Sequence, residues 1–146
     1  LGLALFCDMR VASETAIFGV FCRRFGVPMS DGTTVRLPRL IGTGRALDML
    51  NTGRPVDAFD AKTMGLADRV EPTGHARTSA EAIAHHMAEF PQMAMRADRW
   101  SALNQAGLPL AEALAKEVES AEAAKHLDAA AGAARFSERT GRSEAR

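Results

Sequence analysis

Between Val20 and Thr34 the sequence holds a single carboxylate, Asp31, in a loop shared with Phe21, Phe25, Val27 and Met29. A group that moves protons must change charge near neutral pH, and apolar neighbours push a carboxyl in that direction, so Asp31 is the leading candidate acid or base. The same residues read as a helix start, because Ser30-Asp31-Gly32 followed by T-T-V-R-L suits a capping carboxylate; the two roles are compatible. Cys22 carries a thiol that is mostly neutral at pH 7, given a reference pKa of roughly 8.5, and by residue type it reads as a small buried hydrophobe. Cys7 and Cys22 are too few for a disulfide framework and lack C-x-x-C spacing, so both are expected to be reduced. His85 and His86 are adjacent and cannot face one metal in the usual i,i+4 manner, so no metal site is expected.

At 146 residues, 47% of them apolar, the chain is long enough for one ordinary globular core. Eighteen basic and eighteen acidic residues are interspersed and cancel, which leaves no field that favours nucleic acid or an anionic membrane. No apolar run approaches the roughly 20 residues that span a bilayer, and no basic-then-apolar start marks a signal peptide, so a cytoplasmic protein acting on a small ligand is expected.

The elements that must position Asp31 follow from the pattern. Leu1 to Phe6 is short and apolar, strand or helix on periodicity alone. Met9 to Ser13, with Val11 inward, and Ala16 to Gly19 read as short strands around Glu14-Thr15. After the Asp31 loop, Val35, Leu37, Leu40 and Ile41 predict a helix stopped by Gly42 and kinked at Pro38. Leu47 and Leu50 belong to a second helix, ended near Thr52-Gly53. Arg54-Pro55-Val56 is extended, Asp57 and Asp60 bracket the start of a short helix that Gly65 stops, and Leu66 to Val70 reads as a strand closed by Pro72. This is an α/β alternation. From Thr73 onward only helices are expected. Ser79 caps the first, with Ala80, Ile83, Ala84 and Met87 on one face, and Pro91 separates it from a stripe of Met93, Ala97 and Trp100. Pro109 opens a third helix, with Leu110, Leu114, Val118 and Ala121 on one face and a Glu112–Lys116 pair. Gly132 and Phe136 suggest a last short helix, and Thr140 to Arg146 should fray. Met87, Met93 and Met95 read as core or interface filler. Arg10 is expected to pair with a carboxylate at a strand end, Arg36 to tie its helix to neighbours, and Arg23 and Arg24 to be solvated rather than to steer phosphates.

Several separated segments, in order, resemble the crotonase superfamily, the enoyl-CoA hydratases and isomerases. They are A-L-F-C-D-M-R-V-A at Ala4 to Ala12, A-I-F-G at Ala16 to Gly19, V-R-L-P-R-L-I-G at Val35 to Gly42, T-G-R-P-V-D-A at Thr52 to Ala58, and M-G-L-A-D-R-V at Met64 to Val70. The resemblance implies an α/β fold, the second half of a crotonase-like ββα spiral over residues 1–72. A helical oligomerisation region over residues 73–146, packing in trimers or hexamers, would follow. It also implies a coenzyme A thioester as substrate, no further cofactor, and a pocket whose carbonyl oxygen is held by two backbone N–H donors. Leu1 falls inside what resembles a helix, so those donors are expected upstream. The two positions that carry glutamates in the family's hydratases fall on Gly2 and Cys22. Glycine has no group to move a proton, and a neutral thiol cannot simply replace a carboxylate. Isomerases of the family manage with one base, and some members use an aspartate brought in from the loop. The resemblance therefore implies that Asp31 and Cys22 occupy the catalytic positions, with Gly2, Phe21, Phe25 and Val27 against the substrate. A non-catalytic acyl-CoA-binding or assembly protein of the same fold is the competing expectation.

Overall fold

The computed structural model describes residues 1–125 and 132–133. Phe136 and the Thr140–Arg146 segment lie outside the described residues. The chain divides into two compact units, Leu1–Ala84 and His85–Arg146.

The first unit opens with a 3-10 turn over Gly2–Phe6, followed by β1 (Val11–Ser13), β2 (Ile17–Phe18) and a second 3-10 turn over Phe21–Phe25. Helices α1 (Thr33–Ile41) and α2 (Thr43–Thr52) come next, then β3 (Val56–Asp57), α3 (Ala58–Thr63) and β4 (Arg69–Glu71). Strand β1 pairs in parallel with β4, Ala12 opposite Val70, and β2 pairs antiparallel with β3, Phe18 opposite Val56. Within β1 it is Ala12 that is buried, while Val11 is only half-buried, so the inward position is one residue later than the pattern predicts. Strand β4 likewise starts late. Leu66 and Ala67 are buried but belong to the turn before it, their N–H groups both bonded to the Ala61 carbonyl at the end of α3.

Thr33, Leu37 and Ile41 sit four apart and form the buried stripe of α1, and Ala46, Met49 and Leu50 form that of α2. These stripes meet Val20, Val56, Ala58, Ala61 and Leu66 in one core. Helix α1 runs on through Pro38 to Ile41 before Gly42 stops it, and Gly53, at φ 60°, ends α2 in a left-handed conformation open to glycine. Asp57 caps α3 by accepting from the Asp60 N–H at 2.8 Å.

Arg10 fastens the two ends of this unit. Only 8% exposed, it donates from Nε to the Leu66 carbonyl at 2.7 Å and from Nη1 to the Cys7 carbonyl at 2.8 Å, and its Nη2 meets Asp68 at 3.3 Å. The Arg10 backbone N–H adds a 2.6 Å bond to the same Asp68 carboxylate. Arg36 lies 3.8 Å over the Phe6 ring, tying α1 to the first 3-10 turn. Arg23 and Arg24 are not simply solvated. They donate to the Leu50 and Gly53 carbonyls at the C-terminal end of α2, where the orphan carbonyls and the negative dipole end attract cations.

Helix α4 (Ala76–Ala88) begins three residues earlier than Ser79, and Ser79 bonds Glu71 from inside it instead of capping it. The second unit contains α5 (Gln92–Asn104), with Pro91 at its N-cap, and α6 (Leu110–Ala124), with Pro109 as cap and not as first helical residue. Ser120 donates to the Ala97 carbonyl at 3.1 Å between them, and Glu112 pairs with Lys116 on α6 at 3.2 Å. Among the described residues this unit has little interior. Trp100, Leu103, Leu110, Leu114 and Val118 are each at least half exposed, and Ala124 alone among the described residues of α5 and α6 is buried. No described helix is long and apolar enough to cross a membrane.

Candidate functional site

The 3-10 turn at Gly2 and the loop before α1 bring Gly2 and Asp31 together. Gly2 is buried, and a Cβ placed there would overlap the Oδ2 and Cγ atoms of Asp31. The loop carboxylate thus occupies the space that a side chain at position 2 would need. Gly32, at φ 81°, turns the chain into α1, and the Thr33 N–H, one of the helix's free N-terminal donors, bonds Asp31 Oδ1 at 3.0 Å. Oδ2 is the oxygen turned to Gly2.

Asp31 was expected to have a raised pKa. The direction is the opposite. The Thr33 hydroxyl, beside the carboxylate although short of a well-formed hydrogen bond, and the Thr33 N–H, which makes one, hold the Asp31 carboxyl below its ordinary value; the weak desolvation of an exposed loop opposes them without prevailing. Asp31 is therefore a carboxylate at neutral pH, ready to accept a proton and not to give one. The capping reading also holds in modified form: Asp31 bonds the first turn of α1 from one residue outside the cap.

Cys22 lies in the second 3-10 turn, half-buried against the core, and its thiol donates to the Met29 sulfur at 3.0 Å. Phe21 folds back over Gly19, where a Cβ would strike its ring, and the Arg24 guanidinium lies 5.1 Å from the ring centre. Phe25 and Val27 are exposed, Phe25 at 81%. The structure thus joins Gly2 to Asp31 and Cys22 to Met29, and leaves Phe25 and Val27 as open apolar surface.

Nothing in the loop pattern around Asp31 singles out Thr33 as part of the site. It is completely buried, and its Oγ1 has no hydrogen-bond partner among the described residues. Its place in the Thr33, Leu37, Ile41 stripe was the available signal, because a polar residue at an inward helical position needs a reason.

Two recesses lie elsewhere, in the second unit. One of about 300 Å³ runs between α5 and α6 beside Ala97, Ser101, Ala113 and Ser120; another of about 360 Å³ is bounded by Pro91, Ala94 and Ala124. Their walls are mostly small side chains. No cluster of three or more metal-ligating side chains occurs among the described residues.

Comparison with known proteins gives a consistent answer. YngF of Bacillus subtilis is 35% identical over 122 residues, covering 84% of this chain and 47% of that protein. The enoyl-CoA isomerase/hydratase fer4 of Mycosarcoma maydis is 34% identical over 137 residues, covering 88% of this chain and 50% of that one. A crystal structure of enoyl-CoA hydratase from Bacillus anthracis superposes with a TM-score of 0.88 at 34% identity, over 93% of this chain and 53% of that one. The chain spans about half the length of the relatives it matches. The family model for enoyl-CoA hydratase/isomerase matches residues 1–143, and the chain belongs to that family, within the crotonase superfamily.

Proposed function

We propose that the protein acts on an acyl-CoA thioester by stabilising an enolate, with Asp31 as its single proton-moving group. The observation that carries this reading is the Asp31 carboxylate lying in the space beside Gly2. In the proposed step the C2–H bond of the thioester breaks, the proton passes to Asp31 Oδ2, and the electron pair is delocalised onto the thioester oxygen, held by N–H donors. Return of the proton to the same or another carbon completes exchange or isomerisation. Hydration would also need a group to activate water, and Cys22, whose thiol is engaged with Met29, is poorly suited to that task. Phe21, Phe25 and Val27 supply apolar contact for the acyl chain in this reading, and no cofactor is required beyond coenzyme A in the substrate. The second half of a ββα spiral and a trimeric or hexameric assembly belong to the same proposal; the exposed apolar residues of α5 and α6 support the assembly.

The test is exchange of the C2 protons of a short saturated acyl-CoA with D₂O, followed by NMR alongside hydration of the matching enoyl-CoA, using the full-length protein. Exchange that outpaces hydration is expected. Rapid hydration with no dependence on Asp31 would overturn the reading, and tight thioester binding with neither reaction would favour the non-catalytic alternative.

A further inference from the structure

Thr33 combines two features that are uncommon in one residue. Its N–H fixes one oxygen of Asp31, and its hydroxyl is shut in the interior without a partner among the described residues. Leaving a buried hydroxyl unpaired is costly, and a valine would fill the same volume without that cost, so packing alone does not account for the threonine. Asp31 next to it has a carboxylate with more acceptor sites than the one N–H satisfies.

We propose that Thr33 is the positioning residue of this site, its N–H anchoring Oδ1 of Asp31 while its hydroxyl steadies the charged carboxylate against Gly2. The inference rests on the catalytic reading of Asp31 given above and adds a second residue to it. The two residues share one turn, tied by the Thr33 N–H, and a rotation that brings the hydroxyl to the carboxylate makes an O–H···O⁻ bond, the stronger charge-assisted kind. The hydroxyl then favours the charged carboxylate over the protonated one, which sets the pH below which the base is lost. A cation also faces this corner, Arg36, whose Nη1 lies beside Gly32. It remains in place when Thr33 is replaced, so it cancels in a comparison of variants.

The experiment is a ¹³C NMR titration of the Asp31 carboxyl, assigned with Asp31→Asn, in the wild-type protein and in Thr33→Val and Thr33→Ser, with kcat/KM measured across the same pH range. Thr33→Val should titrate at higher pH than wild type and move the acid limb of kcat/KM upward by the same amount. Thr33→Ser should restore both. An Asp31 titration identical in Thr33→Val and wild type overturns the positioning role; if valine impairs folding, Thr33→Ala makes the same comparison. A carboxyl titration that shifts while the rate profile stays put upholds the contact and removes Asp31 from catalysis, so the two failures are distinct.

Discussion

Asp31→Asn should lower kcat on the preferred acyl-CoA thioester by about 10²–10⁴-fold, the usual contribution of one positioned acid or base, with a much smaller change in KM. The substitution separates chemistry from structure. Asparagine keeps a side-chain oxygen that can accept the Thr33 N–H, and it is as good as aspartate at helix starts, so the midpoint of urea unfolding at neutral pH should fall only by the modest contribution of the carboxylate's charge. Because the folded protein holds the Asp31 carboxyl below its ordinary value, its contribution to stability is present above the unfolded-state pKa and is lost as pH falls through the depressed one. The base form should persist through the whole neutral and mildly acidic range. A rate that fell between pH 6 and 7 would point to a different group, and Asp31→Asn with wild-type turnover would remove Asp31 from the mechanism.

The largest loss of stability is expected at Arg10. Arg10→Ala removes the donors that satisfy the Cys7 and Leu66 carbonyls and leaves Asp68 with only the backbone N–H of residue 10. Breaking a buried, hydrogen-bonded ion pair from one side costs about 3–5 kcal/mol; Asp68, itself 37% exposed, can regain water, so the lower end applies. Denaturant unfolding of the two proteins should show it directly. A loss under about 1 kcal/mol would mean that water replaces the guanidinium and that Arg10 is not the fastening between β1 and the turn before β4. The site should suffer indirectly, because the Cys7 carbonyl that Arg10 holds follows the turn carrying Gly2.

The residues that announced helices did so through local chemistry, which is why those elements follow from sequence. Gly42 and Gly53 stop α1 and α2 where their backbone freedom suggests, and Asp57 caps α3 through its own side chain. Strand positions were less readable, because β1 to β4 are two or three residues long and a period of two cannot be established over so short a run. Val11 and Ala12 show the consequence, since the pattern predicts that the larger apolar side chain faces inward and the smaller one does. Ser79 misled for a different reason: a hydroxyl near a helix start usually caps, but here Glu71 offers it a partner across the turn.

The candidate site was visible in outline only. Asp31 stood out as the lone acid of its loop, and Gly2 and Cys22 through the resemblance, but their spatial relation is a tertiary fact that spacing does not contain. The direction of the Asp31 shift depended on Thr33, which apolar neighbours in the sequence concealed. Arg23 and Arg24 were read as solvated because nothing local showed that the end of α2 lies beside them.

The central claim is that Gly2 and Asp31 share one place, so that the carboxylate comes from the loop because the turn supplies no side chain. The direct measurement is C2 proton exchange by four proteins: wild type, Gly2→Glu, Asp31→Ala and the Gly2→Glu/Asp31→Ala double variant. Each single variant should be slow, Gly2→Glu because two acids compete for the space and Asp31→Ala because none remains, and the double variant should recover at least tenfold over Asp31→Ala. A double variant no faster than the slower single one, or Gly2→Glu at the wild-type rate, would contradict it.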